Sequence, residues 1–69
     1  MARYSRHVQD RMSQRSIRKE WVEECLRHAD LVVEPAKGLK QFVATVPDGR
    51  RLKVVVDTEN DIIVTAMWM

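Results

Sequence analysis

The stretch Gln41-Phe-Val-Ala-Thr-Val-Pro-Asp-Gly-Arg-Arg-Leu-Lys-Val-Val-Val-Asp57 decides the fold of this chain. Two runs rich in β-branched residues, 41–46 and 52–57, flank the sequence Pro-Asp-Gly at 47–49. Such runs favour strands. Proline fixes φ and glycine accepts an unusual φ, so the three residues between them favour a tight turn. The stretch therefore predicts an antiparallel β-hairpin.

The segments on either side of this hairpin extend the sheet. Residues 31–35, Leu-Val-Val-Glu-Pro, predict a short strand that ends at the proline, and residues 36–38 predict a turn. After the hairpin, residues 58–61 turn again and residues 62–67 are typical of a last strand. The second half of the chain is therefore expected to form an antiparallel sheet of three to four strands.

Two amphipathic helices are expected before the strands. Ser5 is a suitable N-cap for a first helix that ends near Gln14. A second helix, after an interruption at 15–18, runs to about Ala29 with the apolar spacing of a core-facing helix. Two helices followed by a meander predict an α+β fold with both helices on one face of the sheet. At 69 residues, the whole chain (1–69) is one domain.

Composition indicates the cellular compartment and the oligomeric state that we expect for this chain. The single cysteine, Cys25, cannot form an internal disulfide, which fits a reducing cytoplasm. No apolar run has the length of a membrane span or of a signal peptide, so we expect a soluble cytoplasmic domain without a membrane partner. A chain of this size buries only about 60% of its unfolded surface. Because Met67-Trp68-Met69 is apolar, we expect a homodimer through the C-terminal strand region.

Charge is distributed unevenly along the chain. The net charge is only +2, but residues 1–19 carry six basic residues and one acidic residue, a balance of +5. Residues 20–69 carry six basic and nine acidic residues, a balance of −3. A basic region on an otherwise acidic body favours an anionic partner. The balance does not choose between nucleic acid, an acidic protein and small phosphates.

His7, Arg11 and Arg15 follow one another at four-residue intervals in the first helix. At about 100° per residue, Arg11 lies roughly 40° and Arg15 roughly 80° around the helix from His7. Imidazole can transfer a proton near neutral pH, and guanidinium binds phosphate oxygens in a bidentate fork. The stripe therefore suits chemistry or binding at a phosphate.

The same stripe overlaps the apolar side of the helix. Arg15 projects between Tyr4 and Val8 on the helical wheel, and an unpaired buried charge is costly, so Arg15 needs a partner or a cleft. An alternative is that Arg15 extends its charged end to solvent while Arg11 pairs with a carboxylate.

Cys25 and His28 have the spacing of half a metal site. Because no second pair of ligands follows elsewhere, we interpret Cys25 as a core residue and His28 as a helix-terminal residue. We expect neither a metal nor another cofactor.

A longer motif begins in the first helix and ends in the last strands: Tyr4-Ser5-x-His7-Val8-x-x-Arg11-Met12-x-x-Arg15-Ser16-Ile17, then Val54-Val-Val-Asp57 and Ile63-Val-Thr65. The motif resembles that of a family of small bacterial domains of unknown function, family 4258. That family is similar to the RelE/ParE and BrnT toxins and to the barnase–EndoU–colicin–RelE group of ribonucleases. The resemblance implies a RelE-like fold, metal-independent cleavage of RNA, and neutralisation by an antitoxin.

The resemblance also implies roles for single residues. His7 is the candidate proton-transfer residue, Arg11 and Arg15 are the candidate phosphate ligands, and Thr65 would lie near them on the last strand. In a ribonuclease of this kind, His7 would deprotonate the ribose 2′-OH while the two arginines stabilise the charge on the phosphate. The RNA backbone would be guided by Arg3, Arg6 and Lys53.

Two alternatives remain open from the sequence. The domain is either such a toxin-like endoribonuclease or a non-catalytic module that binds RNA or protein. In the second case Arg11 and Arg15 would pair with carboxylates such as Asp57 or Glu34. The family also usually has glycine where this chain has Ser16. Glycine there would close the first helix in the left-handed conformation, which costs a serine on the order of 1 kcal/mol. We therefore expect either that the helix ends differently in this chain or that Ser16 is the N-cap of the second helix.

Overall fold

The computed structural model describes residues 3–69, so the first two residues of the predicted domain lie outside the described part. It confirms the α+β fold, with two helices and all four predicted strands. Within the described range, no helix is long and apolar enough to cross a membrane. The elements in chain order are β1 (Arg3–Tyr4), α1 (Arg6–Gln14), α2 (Lys19–His28), β2 (Leu31–Ala36), β3 (Leu39–Thr45), β4 (Arg51–Asp57) and β5 (Ile62–Trp68).

The sheet has one strand more than the sequence predicted, and it is mixed rather than wholly antiparallel. Its strand order is β1-β5-β4-β3-β2, in which β2 to β5 form the expected antiparallel meander. The additional strand, β1, pairs in parallel with the start of β5, with Arg3 opposite Ile62 and Tyr4 opposite Ile63. A strand of two residues is too short to show the alternation by which strands are recognised in a sequence.

Helix α1 is closed at both ends by specific hydrogen bonds. The Ser5 hydroxyl accepts from the Val8 N–H at 3.1 Å, which confirms Ser5 as the N-cap. At the other end Ser16 has φ = 55°, and the Ile17 N–H donates to the Met12 carbonyl at 2.9 Å. This bond and the left-handed residue are features of a Schellman motif. Both expectations for Ser16 are therefore wrong: it closes α1 in the left-handed conformation that glycine would adopt, and the N-cap of α2 is Arg18, which makes no side-chain capping bond.

The hydrophobic core lies between the two helices and one face of the sheet. Its buried members come from α1, the α1–α2 junction, α2 and strands β3 to β5: Val8, Met12, Ile17, Val22, Cys25, Ala44, Val46, Leu52, Val54, Val56, Ile63 and Ala66. The expected packing of both helices on one sheet face is thus present.

A β-bulge changes which side chains of β5 face the core. The register between β4 and β5 shifts between Val55 and Val56. As a result Ile63 and Ala66 are both buried, although they are three residues apart in one strand. Without the bulge, Thr65 would lie on the same face as Ile63, because side chains alternate along a strand. With the bulge, Thr65 lies opposite Val55, on the face away from the helices.

Candidate functional site

The basic residues of the first part of the chain lie on β1, on α1, at the α1–α2 junction and at the start of α2. Five of them are exposed, and none of these five forms an ion pair with another residue of the described range. Elsewhere arginines do form such pairs, as with Arg50 Nη2 and Asp48 Oδ2 at 2.7 Å. We call this group of residues the basic pole; it consists of Arg3, Arg6, Arg11, Arg18 and Lys19.

His7 and Arg11 lie on α1 as the helical spacing predicted. Both side chains are exposed, and neither makes a side-chain hydrogen bond to any residue between 3 and 69 for which the structure gives a position. They are one turn apart on the same side of the helix. An imidazole and a guanidinium in this arrangement are free to contact an anion from solvent.

Arg15, the third member of the stripe, connects α1 to the last strand. Its Nη1 donates to the Ala66 carbonyl at 3.0 Å, and its own carbonyl accepts from the Trp68 indole Nε1 at 2.7 Å. Trp68 in turn packs edge-to-face on Trp21, with ring centroids 5.8 Å apart. The predicted need of Arg15 for a partner is confirmed. The partner is a backbone carbonyl rather than a carboxylate, because β1 pairs only with the start of β5 and leaves Ala66 at an edge.

Thr65 and Lys53 lie on the other side of the sheet from α1. In β4 the buried Val54 faces the helices, so its neighbours Lys53 and Val55 face away. Thr65 pairs with Val55, and Met67 pairs with Lys53. The structure therefore brings His7 and Arg11 together but places Thr65 and Lys53 on the opposite face. Strand alternation alone gives this side for both residues, whereas the resemblance placed Thr65 near His7.

Cys25 and His28 have the positions that the sequence indicated. Cys25 is 1% exposed, and its Sγ lies 3.9 Å from the Leu52 carbonyl oxygen. Burial, with a smaller contribution from the charge of Asp30, raises the pKa of the Cys25 thiol to about 11. His28 is the last residue of α2 and is exposed beside Glu24, with Nε2 and Oε1 3.8 Å apart. In the part of the chain with described coordinates, no three metal-ligating side chains cluster.

A cavity of about 500 Å³ opens between β1, α1 and the start of α2, and sequence reasoning missed it. Six of the described residues line it: Arg3, Tyr4, Gln9, Met12, Ile17 and Lys19. Gln9 Nε2 donates to the Tyr4 carbonyl at 3.3 Å, and Lys19 Nζ lies 4.9 Å from the centre of the Tyr4 ring. Burial, and then the charge of Glu23, raises the pKa of Tyr4 above its ordinary value. The sequence signals at this cavity were the basic residues at its rim and three residues of the motif, Tyr4, Met12 and Ile17, but neither signal indicated a cavity.

Comparison with known protein families gives one match. The family model described as a domain of unknown function, DUF4258, matches residues 4–68. The chain belongs to the DUF4258 family. The match includes α1 with its His7–Arg11–Arg15 stripe and extends to Trp68, so both partners of the Arg15–Trp68 hydrogen bond lie within the DUF4258 domain. No curated protein and no solved structure matches this DUF4258 chain.

Proposed function

We propose that this DUF4258 domain is a non-catalytic module that binds RNA by holding its phosphate backbone on the basic pole. The observation that carries the proposal is the set of five exposed cations on β1, α1 and the start of α2, none of which forms an ion pair within residues 3–69. Surfaces of this kind attract polyanions and bind phosphates with release of counterions. The resemblance that we infer from the sequence motif, to RelE-like and BrnT-like ribonucleases, favours RNA as the polyanion.

The division of the candidate catalytic residues supports binding rather than cleavage. Internal attack on RNA needs a base, an acid and anion-stabilising groups around one phosphate. Here Arg15 is bound to the Ala66 carbonyl, while Thr65 and Lys53 lie across the sheet. The chain's other histidine, His28, lies at the far end of α2 and not beside His7 and Arg11.

The strength of this binding is expected to depend steeply on salt. If four of the five cations each neutralise one phosphate, the logarithm of the affinity falls with the logarithm of salt concentration with a slope of roughly −2.8 for a single strand. Between about 50 mM and about 200 mM salt, the affinity then falls roughly 50-fold. A module that recognised RNA mainly by base stacking would show a smaller slope.

Fluorescence anisotropy with a labelled single-stranded RNA tests the proposal. We expect the double variant Arg6→Ala/Arg11→Ala to weaken binding by about tenfold or more and to reduce the salt slope by about 1.4. Lys37→Ala is the matched control, because Lys37 is an exposed cation in the turn between β2 and β3. Its effect should stay within about twofold. Equal losses in the double variant and in the control, or binding without salt dependence, would exclude the basic pole as the RNA surface.

A toxin-like endoribonuclease is the second candidate, favoured by the position of His7 beside Arg11 on one exposed side of α1. This candidate includes the RelE-like fold, a cytoplasmic location and an antitoxin partner. Incubation of total RNA with excess chelator, for wild type and His7→Ala, distinguishes the two. Cleavage to 2′,3′-cyclic phosphates that is lost in the variant would replace the binding proposal with this one. No cleavage, or equal trace cleavage by both proteins, agrees with a module that only binds.

We also propose a homodimer through the C-terminal strand region, although fewer apolar side chains are available for it than the sequence indicated. The Trp68 side chain packs within its own chain, where the indole contacts Arg15 and Trp21. The Arg50 guanidinium carbon lies 3.9 Å from the centre of the Trp68 ring. Met69, which is 70% exposed, and the half-buried Met67 are the remaining apolar groups there. Sedimentation equilibrium of wild type and Met69→Ser measures whether they support a dimer.

A further inference from the structure

We propose that the cavity between β1, α1 and α2 is a subsite for one nucleotide monophosphate, with its base against the apolar floor and its phosphate on Arg3 and Lys19. The proposal rests on the RNA-binding function for its ligand class, and it adds a defined pocket to a surface that otherwise binds only a backbone. The ligand group is either a free nucleoside monophosphate or the phosphorylated 5′ end of an RNA.

The floor of the cavity is apolar and rigid. It is made of Met12 and Ile17, each only 6% exposed. The two side chains are brought together by the end of α1, where the Ile17 N–H binds the Met12 carbonyl across the left-handed Ser16. Because a backbone hydrogen bond holds these two residues together, the floor is formed before a ligand binds. A flat apolar group such as a base would cover it.

The Tyr4 ring forms an aromatic wall of the cavity, and contacts with three other residues fix its position. The Tyr4 backbone pairs with Ile63 of β5, and its carbonyl accepts from Gln9 Nε2. Its hydroxyl is 3.5 Å from the Lys19 carbonyl, and Lys19 Nζ lies 4.9 Å from the ring centre, over one face. A base can stack only on a face of the ring that the cation does not cover. With Nε2 engaged, the Gln9 side-chain oxygen is the acceptor that Gln9 can offer to an amino group of a base.

The two cations at the rim of the cavity favour an anionic ligand. Arg3 and Lys19 line the cavity, and none of its six lining residues is acidic. Glu23 lies near Tyr4, and the Asp61 carbonyl accepts from the Arg3 N–H at 2.8 Å, but neither residue lines the cavity. By contrast, a cavity of about 200 Å³ at the end of α2 includes Glu24 and Asp30 in its lining. The volume of about 500 Å³ at β1 is within the range of small-molecule sites.

Titration of the protein with AMP, followed by NMR shifts and by calorimetry, tests the subsite. We expect AMP to bind with a Kd below about 1 mM and to shift the signals of Tyr4, Gln9 and Ile17. Adenosine lacks the phosphate and ribose 5-phosphate lacks the base, so each should bind at least about tenfold more weakly than AMP. Arg3→Gln/Lys19→Gln should weaken AMP by about tenfold or more, whereas the control Lys37→Gln should change it less than about twofold. Both sets of variants alter only exposed side chains, and melting curves verify that they fold.

The controls separate this proposal from the proposed function. Absence of shifts at the cavity with about 5 mM AMP, or equal shifts with inorganic phosphate alone, overturns the subsite. If an RNA with a 5′-hydroxyl then still binds with steep salt dependence, the basic pole stands without the subsite. If AMP binds in the cavity but RNA does not bind, the subsite stands and RNA binding fails. When both bind, a gain of about fivefold or more from a 5′-phosphate on the RNA assigns the subsite to RNA ends, and no gain assigns it to free nucleotides.

Discussion

Replacing Arg15 with alanine decides whether this side chain belongs to the fold or to the ligand surface. The change removes the charge-assisted bond from Nη1 to the Ala66 carbonyl, which is 3.0 Å long and partly buried. Hydrogen bonds to charged groups contribute roughly 1.5–3 kcal/mol. Because Arg15 is half-exposed, we take the lower part of this range, and the loss of packing by its aliphatic stem adds to it. We therefore expect the free energy of unfolding to fall by about 2 kcal/mol.

Thermal unfolding followed by circular dichroism measures the effect. In a domain of this length, about 2 kcal/mol corresponds to a decrease in Tm of roughly 8–16 °C. Trp68→Phe is the partner variant, since it keeps an aromatic ring against Trp21 but removes the indole donor from the Arg15 carbonyl. We expect it to cost about 1 kcal/mol. The two changes affect one junction, so the double variant should depart from additivity by about 0.5 kcal/mol or more.

One result would refute this reasoning. If Arg15→Ala melts within about 1 °C of wild type and loses RNA affinity as Arg11→Ala does, then Arg15 is a phosphate ligand and its bond to Ala66 has little energetic weight. Arg15→Lys is the control for charge. It keeps the cation but not the planar fork, so it should recover part of the Tm if a single bond to the carbonyl is what matters.

Three further predictions concern stability. Ser16→Gly should raise the free energy of unfolding by about 1 kcal/mol in urea denaturation, because glycine adopts a φ of 55° without strain; no change would mean that Ser16 is not strained. Because the folded-state pKa of the Cys25 thiol, about 11, is above its ordinary value of 9.0, the stability due to the protonated thiol is complete below pH 9.0 and is lost as pH rises towards 11. Melting curves should show this loss for wild type and not for Cys25→Ala. Leu52→Ala, at a fully buried position, should cost about 2–5 kcal/mol and abolish cooperative melting, whereas Leu31→Ala, at a half-exposed position, should change the Tm little.

The helices and the four long strands could be predicted because each is specified by a local pattern. Ser5 caps α1, the apolar spacing marks α2, and the Pro-Asp-Gly turn separates β3 from β4. Strand β1 and the bulge in the β4–β5 pairing could not be predicted in this way. Both depend on pairing between residues far apart or in different strands, and neither changes the local composition.

The candidate site was predictable to the same extent. The excess of basic residues in the first part of the chain indicated the basic pole, and the wheel position of Arg15 indicated that it needs a partner. The identity of that partner depends on a free strand edge 51 residues later in the chain. The burial of Ile63 together with Ala66 depends on the bulge. Tyr4, Met12 and Ile17 of the cavity belong to the sequence motif, but the motif does not show that they line one cavity in the fold.

The parallel pairing of β1 with β5 has a consequence for how the chain is made. Arg3 and Tyr4 can pair only after Ile62 and Ile63 have been synthesised. The apolar side of α1 can pack on β5 only after the same strand has been made. At a translation rate of roughly 5–20 residues per second, β5 is synthesised about 3–12 s after α1. During this interval Val8 and Met12 have no sheet to cover them. The arginines around them then act as gatekeepers, because flanking charges keep an uncovered apolar segment from associating with other nascent chains.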